Sequence, residues 1–570
     1  MGFIFLRWET RNADLARHAT LALSKLKLIL QGEGYALFVD PDASVIEVGE
    51  RGALLGIVFS QRSGERIEAF DRDAAAEILG SQGACLPKAY WGAYVAILPA
   101  EGRLDVVRDP SGALQTWRLN ASGLDILTSD LALAERASGL GFVRDKGGVA
   151  QMLAYPQIRG RRTGLVGVEE LPAGARLTWR HGGVSETQLW TPWTFADKAL
   201  RIDSIGVARD QLRRTLERVV SLWGRAYPRS LLELSGGLDS SLIALCLPKT
   251  PSMSAINIVT VEADGDERDY ARLTAEAASL RLVEATVAAR SDLEVRRPGR
   301  LPRPGAHVYL QAIEQQIIDT AQVAQASAFF SGLGGDNVLC GISTAGPGAD
   351  ALRVYGPGSR SWTTIGDLAR VHGCTMWRAA QLSIAKALRP PVQGWDRQPL
   401  LLNRDVDVAP PEHPWFDAPS SVLPGKRDHV RAILVAHAFL DRYAHAQAGA
   451  IIAPMMAQPM VELCLRIPTW MWVEGGQNRA VARQAFAHLL PARVRLRATK
   501  GGLGGFAASV YRQVRPQLRA FLGDGRLAQD GLLDRERLFE VLGAEQLPSA
   551  TLMKVFLLVD TEVWARGWDP

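Results

Sequence analysis

The stretch LLELSGGLDSSLIALCL, residues 231–247, decides how this chain is read. A short apolar run leads into Ser235-Gly236-Gly237-Leu238-Asp239-Ser240-Ser241, and an apolar helical pattern follows at once. Two glycines allow the backbone to turn tightly and to approach an anion closely. A helix N-terminus placed there presents unpaired N–H groups and the positive end of its dipole to phosphate. The hydroxyls of Ser235, Ser240 and Ser241 add donors. Asp239 repels a bare phosphate, so its presence points to Mg2+ bridging carboxylate and phosphate oxygens. The loop is not a Walker A sequence, which requires a Lys after its last glycine. On its own it also fits a glycine turn with Ser and Asp helix caps.

A second element sharpens the reading. Ala328-Phe329-Phe330 reads as a buried strand, and Ser331-Gly332-Leu333-Gly334-Gly335-Asp336-Asn337 follows it. Ligands of open parallel sheets bind beyond the carboxyl ends of the strands. Two glycine loops leaving two strands, each with an Asp, therefore predict one shared Mg2+–nucleotide site.

Around these loops, apolar strands (231–234, 255–261, 328–330) alternate with helical patterns at 267–280 and 307–326, which implies a parallel α/β sheet. The first ~190 residues differ. Short strands at 35–39, 54–59, 93–98, 104–107 and 124–127 are separated by glycine turns, and 167–179 reads as a turn followed by a hairpin strand. A Trp-rich stretch at 189–198 leads into an amphipathic helix that Asp203 or Ser204 can cap. The expected division is thus 1–195 and 203–570. Beyond 340 the pattern predicts a Gly/Pro/Ser loop (343–361), a helical stretch (365–388), a proline-dense segment (389–425) and helices to the end.

Length and composition agree. At roughly 150 residues per domain, 570 residues imply about two to four domains. With 47% apolar and 22% charged residues the chain is an ordinary globular one, not fibrous or disordered. A net charge of +5 makes no case for nucleic acid. Cys85, Cys246, Cys340, Cys374 and Cys464 have no metal-ligand spacing and read as reduced thiols. No apolar run is long enough to span a membrane and the opening residues do not form a secretory signal, so the expectation is a cytoplasmic protein without membrane partners.

The paired loops resemble those of the asparagine synthetase family, enzymes that cleave ATP to AMP and pyrophosphate, form an acyl-adenylate and let an amine attack it. The resemblance implies that Ser235, Gly237, Asp239 and Ser240 hold pyrophosphate, that Gly236, Leu238 and Ser241 belong to the same cofactor-binding loop, and that Asp239 and Asp336 ligate Mg2+. It implies that Leu234, Ile258, Gly332 and Leu333 flank adenosine, with Ser331 and Gly334 completing the second loop. IIAPMMAQPMVELCLRIP (451–468) and GGQNRAVARQAFAHLLPARVRLRATKGG (475–502) look like later family segments, the second ending in a catalytic Lys, here Lys500. Arg108-Asp109-Pro110-Ser111-Gly112, Ser129-Asp130-Leu131 and Leu171-Pro172-Ala173-Gly174 resemble the family's N-terminal glutaminase-type domain, an Ntn-type α/β sandwich.

Departures select the branch. Glutamine-using members carry a Cys where this chain has Gly2, so the resemblance implies a glutaminase-like domain without its nucleophile. Asparagine synthetases follow the second-loop Asp with Glu, where Asn337 stands; β-lactam synthetases place a catalytic Tyr where Leu333 stands. SGLGGDN and QPMVELCLRIPT look most like the macrolactam synthetases of lasso-peptide biosynthesis. These join a peptide's N-terminal amine to an Asp or Glu side chain. That branch implies a precursor peptide as substrate and a transglutaminase-like leader protease as partner. A small-molecule amide or β-lactam former, or a glutamine-independent asparagine synthetase, is the alternative.

Other candidates carry two readings each. His307 is either a base for the amine or a cap. Glu267 and Asp269 face the nucleotide, or stabilise a helix start. His445 and Glu462 are further pocket candidates.

Overall fold

The computed structural model describes residues 2–181, 183–262, 265–290, 293, 300–305, 307–341, 343–390, 394–398, 401–441, 444–497 and 501–568. Two antiparallel sheets of six strands occupy the first part of the chain. Their strands are β1 (Phe3–Trp8), β2 (Lys27–Gly32), β3 (Tyr35–Val39), β4 (Val45–Val48), β5 (Gly52–Ser60), β6 (Tyr90–Ala100), β7 (Arg103–Arg108), β8 (Trp117–Ala121), β9 (Leu124–Thr128), β10 (Glu169–Glu170), β11 (Ala175–Arg180) and β12 (Gly183–Gln188). One sheet runs β10-β8-β9-β1-β3-β2 and the other β12-β11-β7-β6-β5-β4.

The two-residue period of a strand sends alternate side chains to opposite faces. Phe3, Phe5, Leu37 and Val39 thus meet Leu55, Val95, Ile97, Val106 and Trp179 between the sheets. Ile4, Leu6 and Phe38 point outward onto Ala16 and Ala19 of the helix Ala13–Ala22. On the other side Leu54, Val58 and Ala96 pack on Ala75 and Ile78 of the helix Arg72–Gly80. The apolar run near the start, considered above only against a secretory signal, forms β1 in the middle of its sheet.

The helix Ile205–Ala226 opens the second part. The Ser204 hydroxyl accepts from Val207 N–H at 3.5 Å, and Ala208, Leu212, Leu216 and Val219 are buried at helical spacing. A five-stranded parallel sheet follows: β13 (Ser230–Glu233), β14 (Met253–Thr260), β15 (Arg281–Val287), β16 (Ala328–Phe330) and β17 (Ala450–Ile452), in the order β15-β14-β13-β16-β17. Strands β14 and β15 extend the sheet to one side of β13, and β16 and β17 extend it to the other. The order reverses between β13 and β16, the place where open α/β sheets form a crevice.

Several expectations are corrected. β15 and β17 are strands that the apolar pattern alone did not reveal. Arg281–Val287 is mostly part-exposed at the sheet edge, and Ala450–Ile452 is too short to show alternation. The supposed loop 343–361 contains the helix Gly346–Tyr355, whose proline sits in the first turn, where no N–H is needed. The stretch 365–388 is two helices, Ser359–His372 and Met376–Leu388, broken at Gly373 with φ +60°.

A buried charge cluster joins the two parts. Glu170 of β10 accepts from Arg108 at 2.7 Å, Arg159 at 2.6 Å and Arg303 at 2.5 Å. Burial raises the Glu170 carboxyl, but the charges of Arg159, Arg303 and Arg108 outweigh that and hold it well below the usual carboxylate range. Glu462 accepts from Trp190 at 2.8 Å and from Gln458 at 2.7 Å, so it works as an interdomain clasp. Among the described residues no helix is long and apolar enough to cross a membrane, and all five cysteines are free.

Removing the Glu170 carboxylate leaves three buried guanidinium groups without their shared counterion. Glu170→Ala is expected to lose about 3–5 kcal/mol of stability in urea unfolding; a loss below about 1 kcal/mol would contradict the staple. The folded pKa is depressed, so this stabilisation is complete above the unfolded value of about 4.3 and fades as pH falls below it. The variant should therefore lack part of the acid-induced loss seen in the unmodified protein.

Candidate active site

The first loop turns at Gly236, where φ is +69° and a Cβ would stand 2.7 Å from Cβ of Tyr270. Only glycine fits there. The loop then enters the helix Leu238–Cys246, with Gly237 as its cap. Ser235 Oγ lies 3.2 Å from Ser240 Oγ and accepts from Gly237 N–H at 3.3 Å, so the loop is shaped by its own hydroxyls. The second loop packs directly against the first: a Cβ on Gly335 would lie 2.3 Å from Asp239 Cγ.

Between the loops is a cavity of about 510 Å3, within the size range of small-molecule sites. Leu234, Ser235, Gly237, Leu238, Asp239, Ser240 and Ile258 line it from one side, and Ser331, Gly332, Leu333, Gly334 and Asp336 from the other. Ile256, Ile313 and Ile317 add apolar wall. Glu267 reaches the cavity as well. Its carboxylate pairs with Arg497 and accepts from Gly501 N–H at 2.8 Å. The Arg497 guanidinium lies 4.0 Å over the Tyr270 ring.

Several expected residues fail to reach this cavity, Gly236 among them, since it turns against Tyr270 instead. Ser241 is fully buried and its hydroxyl lies 3.1 Å from that of Thr274, on the helix Arg268–Ala278 beneath the loop. His307 caps another cavity, where its Nδ1 is 2.9 Å from Asp560 Oδ2. Asp269 is exposed and faces Arg272 at 3.8 Å and Arg493 at 3.7 Å. Lys500 lies outside the described residues, but Arg497 and Gly501 on either side of it line the cavity. His445 is wholly buried behind the cavity wall, with Nε2 3.2 Å from Glu233 Oε1 and Nδ1 2.5 Å from Glu314 Oε2. Burial disfavours the imidazolium there, but the bonds to Glu233 and Glu314 prevail and push its pKa up to about 10.

Sequence reasoning missed Arg479. Its Nη1 lies 2.9 Å from Asp239 Oδ1 and 2.5 Å from Asp336 Oδ1, a single cationic atom shared by both carboxylates. This Arg follows Gly475-Gly476 in a segment that also holds an Arg with backbone work: Arg483 donates to Asn478 at 3.0 Å and to Arg495 at 2.5 Å. Nothing in the spacing separates a structural Arg from one in the cleft. Asn337 is also accounted for, since its amide donates to Ala432 on the helix Pro424–His437 at 2.7 Å.

These residues fit Mg2+. Two hard carboxylate oxygens already face one cationic point. A small divalent ion bound by one or two carboxylates completes its shell from water and nucleotide phosphates. Asp239 and Asp336 would hold it, and Arg479 has to yield the space. In Arg479→Met, Mn2+ titrated without nucleotide is expected to bind at least about tenfold more tightly than in the unmodified protein. Equal affinities would show that the guanidinium does not compete for the two carboxylates.

The asparagine synthase family model matches residues 211–566, well over half of the chain, with both loops, Arg479 and Lys500 inside the match. Comparison with curated proteins finds no match. Among solved structures, the allosteric regulatory enzyme of purine biosynthesis aligns with 9% identity, covering 51% of this chain and 82% of its own, at a TM-score of 0.22. Glutamine phosphoribosylpyrophosphate amidotransferase from B. subtilis, complexed with ADP and GMP, aligns with 11% identity over 55% and 70%, also at 0.22. Those two likenesses carry no weight at such scores. The family match covers the cleft and everything that builds it: the chain belongs to the asparagine synthase family and is an ATP-dependent ligase that forms amide bonds.

Proposed function

We propose that this ligase adenylates an Asp or Glu side chain of a peptide and closes a macrolactam with the peptide's own N-terminal amine. The observation that carries the branch is Leu333, an apolar side chain lining the cleft where a β-lactam synthetase presents a phenol. Gly2 supplies no thiol for glutamine hydrolysis. Burial pushes the thiol of Cys85 up, away from the thiolate that a nucleophile requires. The amine then has to come from the acceptor molecule itself.

In this reading adenosine lies along Leu234, Ile258 and Leu333, and the phosphates face Ser235, Ser240 and the N-terminus of the helix Leu238–Cys246. A substrate carboxylate oxygen attacks the α-phosphorus as the bond to pyrophosphate breaks. The amine nitrogen attacks the acyl carbon, AMP leaves with the bonding pair, and the amine gives up a proton. Glu267 is the carboxylate in the cleft nearest the Lys500 segment. With His307 held at Asp560, a role as base falls to the Glu267 region. Lys500 would stabilise the charge that develops on the acyl oxygen and phosphate. Mg2+, when bound at Asp239 and Asp336, supplies neutralising charge for the pyrophosphate. Holding both peptide ends together is itself a large part of the rate. A transglutaminase-like protease fits as the source of the leaderless peptide.

Asp336→Ala is expected to lower pyrophosphate release at least about a hundredfold while leaving the circular dichroism spectrum unchanged. Near-normal turnover would remove Asp336 from the metal site. With Mg2+–ATP and a leaderless core peptide, the product should weigh one water, about 18 Da, less than the linear peptide, with AMP formed in equal amount. ADP as product would overturn the mechanism. Turnover of a free amino acid without cyclisation of the cognate peptide would favour the small-molecule alternative.

A further inference from the structure

Outside the nucleotide cleft, the described part of the chain contains a groove of about 740 Å3 that no step above uses. It lies among the helices Gly346–Tyr355, Met376–Leu388 and Pro424–His437. Six cations line it, Arg353, Arg378, Lys386, Arg389, Arg427 and Arg431, against two carboxylates, Asp396 and Asp428. Lys386 pairs with Asp428 at 2.8 Å. Several guanidinium groups are held instead by neutral carbonyls: Arg353 by Ala387 at 2.8 Å, Arg427 by Ser420 at 3.0 Å and Arg431 by Gly394 at 2.8 Å. Such bonds fix the side chains without cancelling their charge. Burial and the neighbouring Arg353 charge both act against the charged form of Arg427, yet a guanidinium does not deprotonate in proteins. The groove is therefore a preorganised site of net positive charge.

Its lining is also apolar between the charges. Arg378, Leu382 and Ala385 follow one another at helical spacing along the helix Met376–Leu388, Arg389 stands just past its end, and Leu368 also lines the groove. Trp377 and Leu388, the chain neighbours of Arg378 and Arg389, are 78% and 80% exposed. Among the described residues no Phe, Tyr or Trp lines the groove, so these residues form no stacking platform of the kind used for unpaired bases. The helix Pro424–His437 is a common wall. Arg427 and Arg431 face the groove, and the backbone of Ala432 holds Asn337 beside Asp336. Ser343 to Ala345, just beyond the second loop, form part of the lining.

We infer that this groove docks an acidic segment of the peptide substrate, a run of Asp or Glu interspersed with apolar residues, beside the site where its carboxylate is activated. The inference rests on the peptide reading proposed above. Arginine clusters that recognise carboxylates give both affinity and register, so the groove would orient the chain relative to the second loop.

Fluorescence anisotropy with a labelled (Glu-Leu)5 peptide tests it on the full-length protein. The acidic peptide should bind, weaken as salt is raised, and bind at least about tenfold more tightly than (Lys-Leu)5. Arg378→Glu together with Arg389→Glu should weaken binding at least about tenfold, and Lys at both positions should restore most of it. Binding of a fluorescent ATP analogue in the same samples reports whether the charge-reversed protein is folded. Equal binding of the two peptides, an unchanged affinity in the charge-reversed protein, or tighter binding of a single-stranded oligonucleotide would overturn the inference. Absence of peptide-dependent AMP formation would strike the peptide-substrate reading of the cleft and leave this binding result standing, so the two failures are distinguishable.

Discussion

Two carboxylates at the ends of neighbouring parallel strands repel one another unless a cation lies between them. Asp239 and Asp336 are forced together because their loops interlock, Gly335 leaving no room for a side chain beside Asp239. Arg479 meets that constraint, one Nη1 facing both carboxylates. Much of the surrounding construction follows. The segment that carries Arg479 must be drawn over the loops, Arg483 holds its return backbone, and Arg497 and Gly501 close on Glu267. The cleft is thus a place where positive charge is required before any nucleotide arrives.

The same constraint explains what was legible in the amino-acid order. Both glycine loops could be read because each combines a strand end, a turn that demands glycine and a carboxylate, a set of residues that has few other physical uses. In the N-terminal part β3, β5, β6, β7, β9 and the hairpin strand β11 were visible through their alternation, the strands at 35–39 and 124–127 almost to the residue, whereas β1, β2, β4, β8, β10 and β12 were not read as strands. Edge and very short strands, β15 and β17, were not, since neither burial nor length gives them a period to detect. Ser241 looked like its neighbour Ser240. One helical step, about 100°, turns it from the loop toward Thr274. Arg479 was invisible for another reason: its role depends on a pairing 240 residues away along the chain.

Three carboxylates, two buried and one half-buried, perform unlike work with the same chemistry. Glu170 lies among arginines and stays ionised, binding two parts of the chain. Glu462 accepts from Trp190 and Gln458, and burial raises its carboxyl from the usual range. Glu314 holds His445 in its charged form behind the cavity wall. The sequence shows each as one Glu in a helix or strand; the partners alone decide whether it is a counterion, an acceptor or a clamp.

Arg303, one arm of the Glu170 cluster, stands on the stretch that runs into the helix Gln311–Ala324. That helix supplies Ile313 and Ile317 to the cleft and Glu314 to His445. The N-terminal sandwich and the cleft wall are therefore tied by a short run of backbone as well as by packing. Over evolutionary time the two cannot drift independently. Selection on the ligase reaches into β10, and a substitution there is screened by its effect on a catalytic wall, even though it lies far along the chain from either glycine loop.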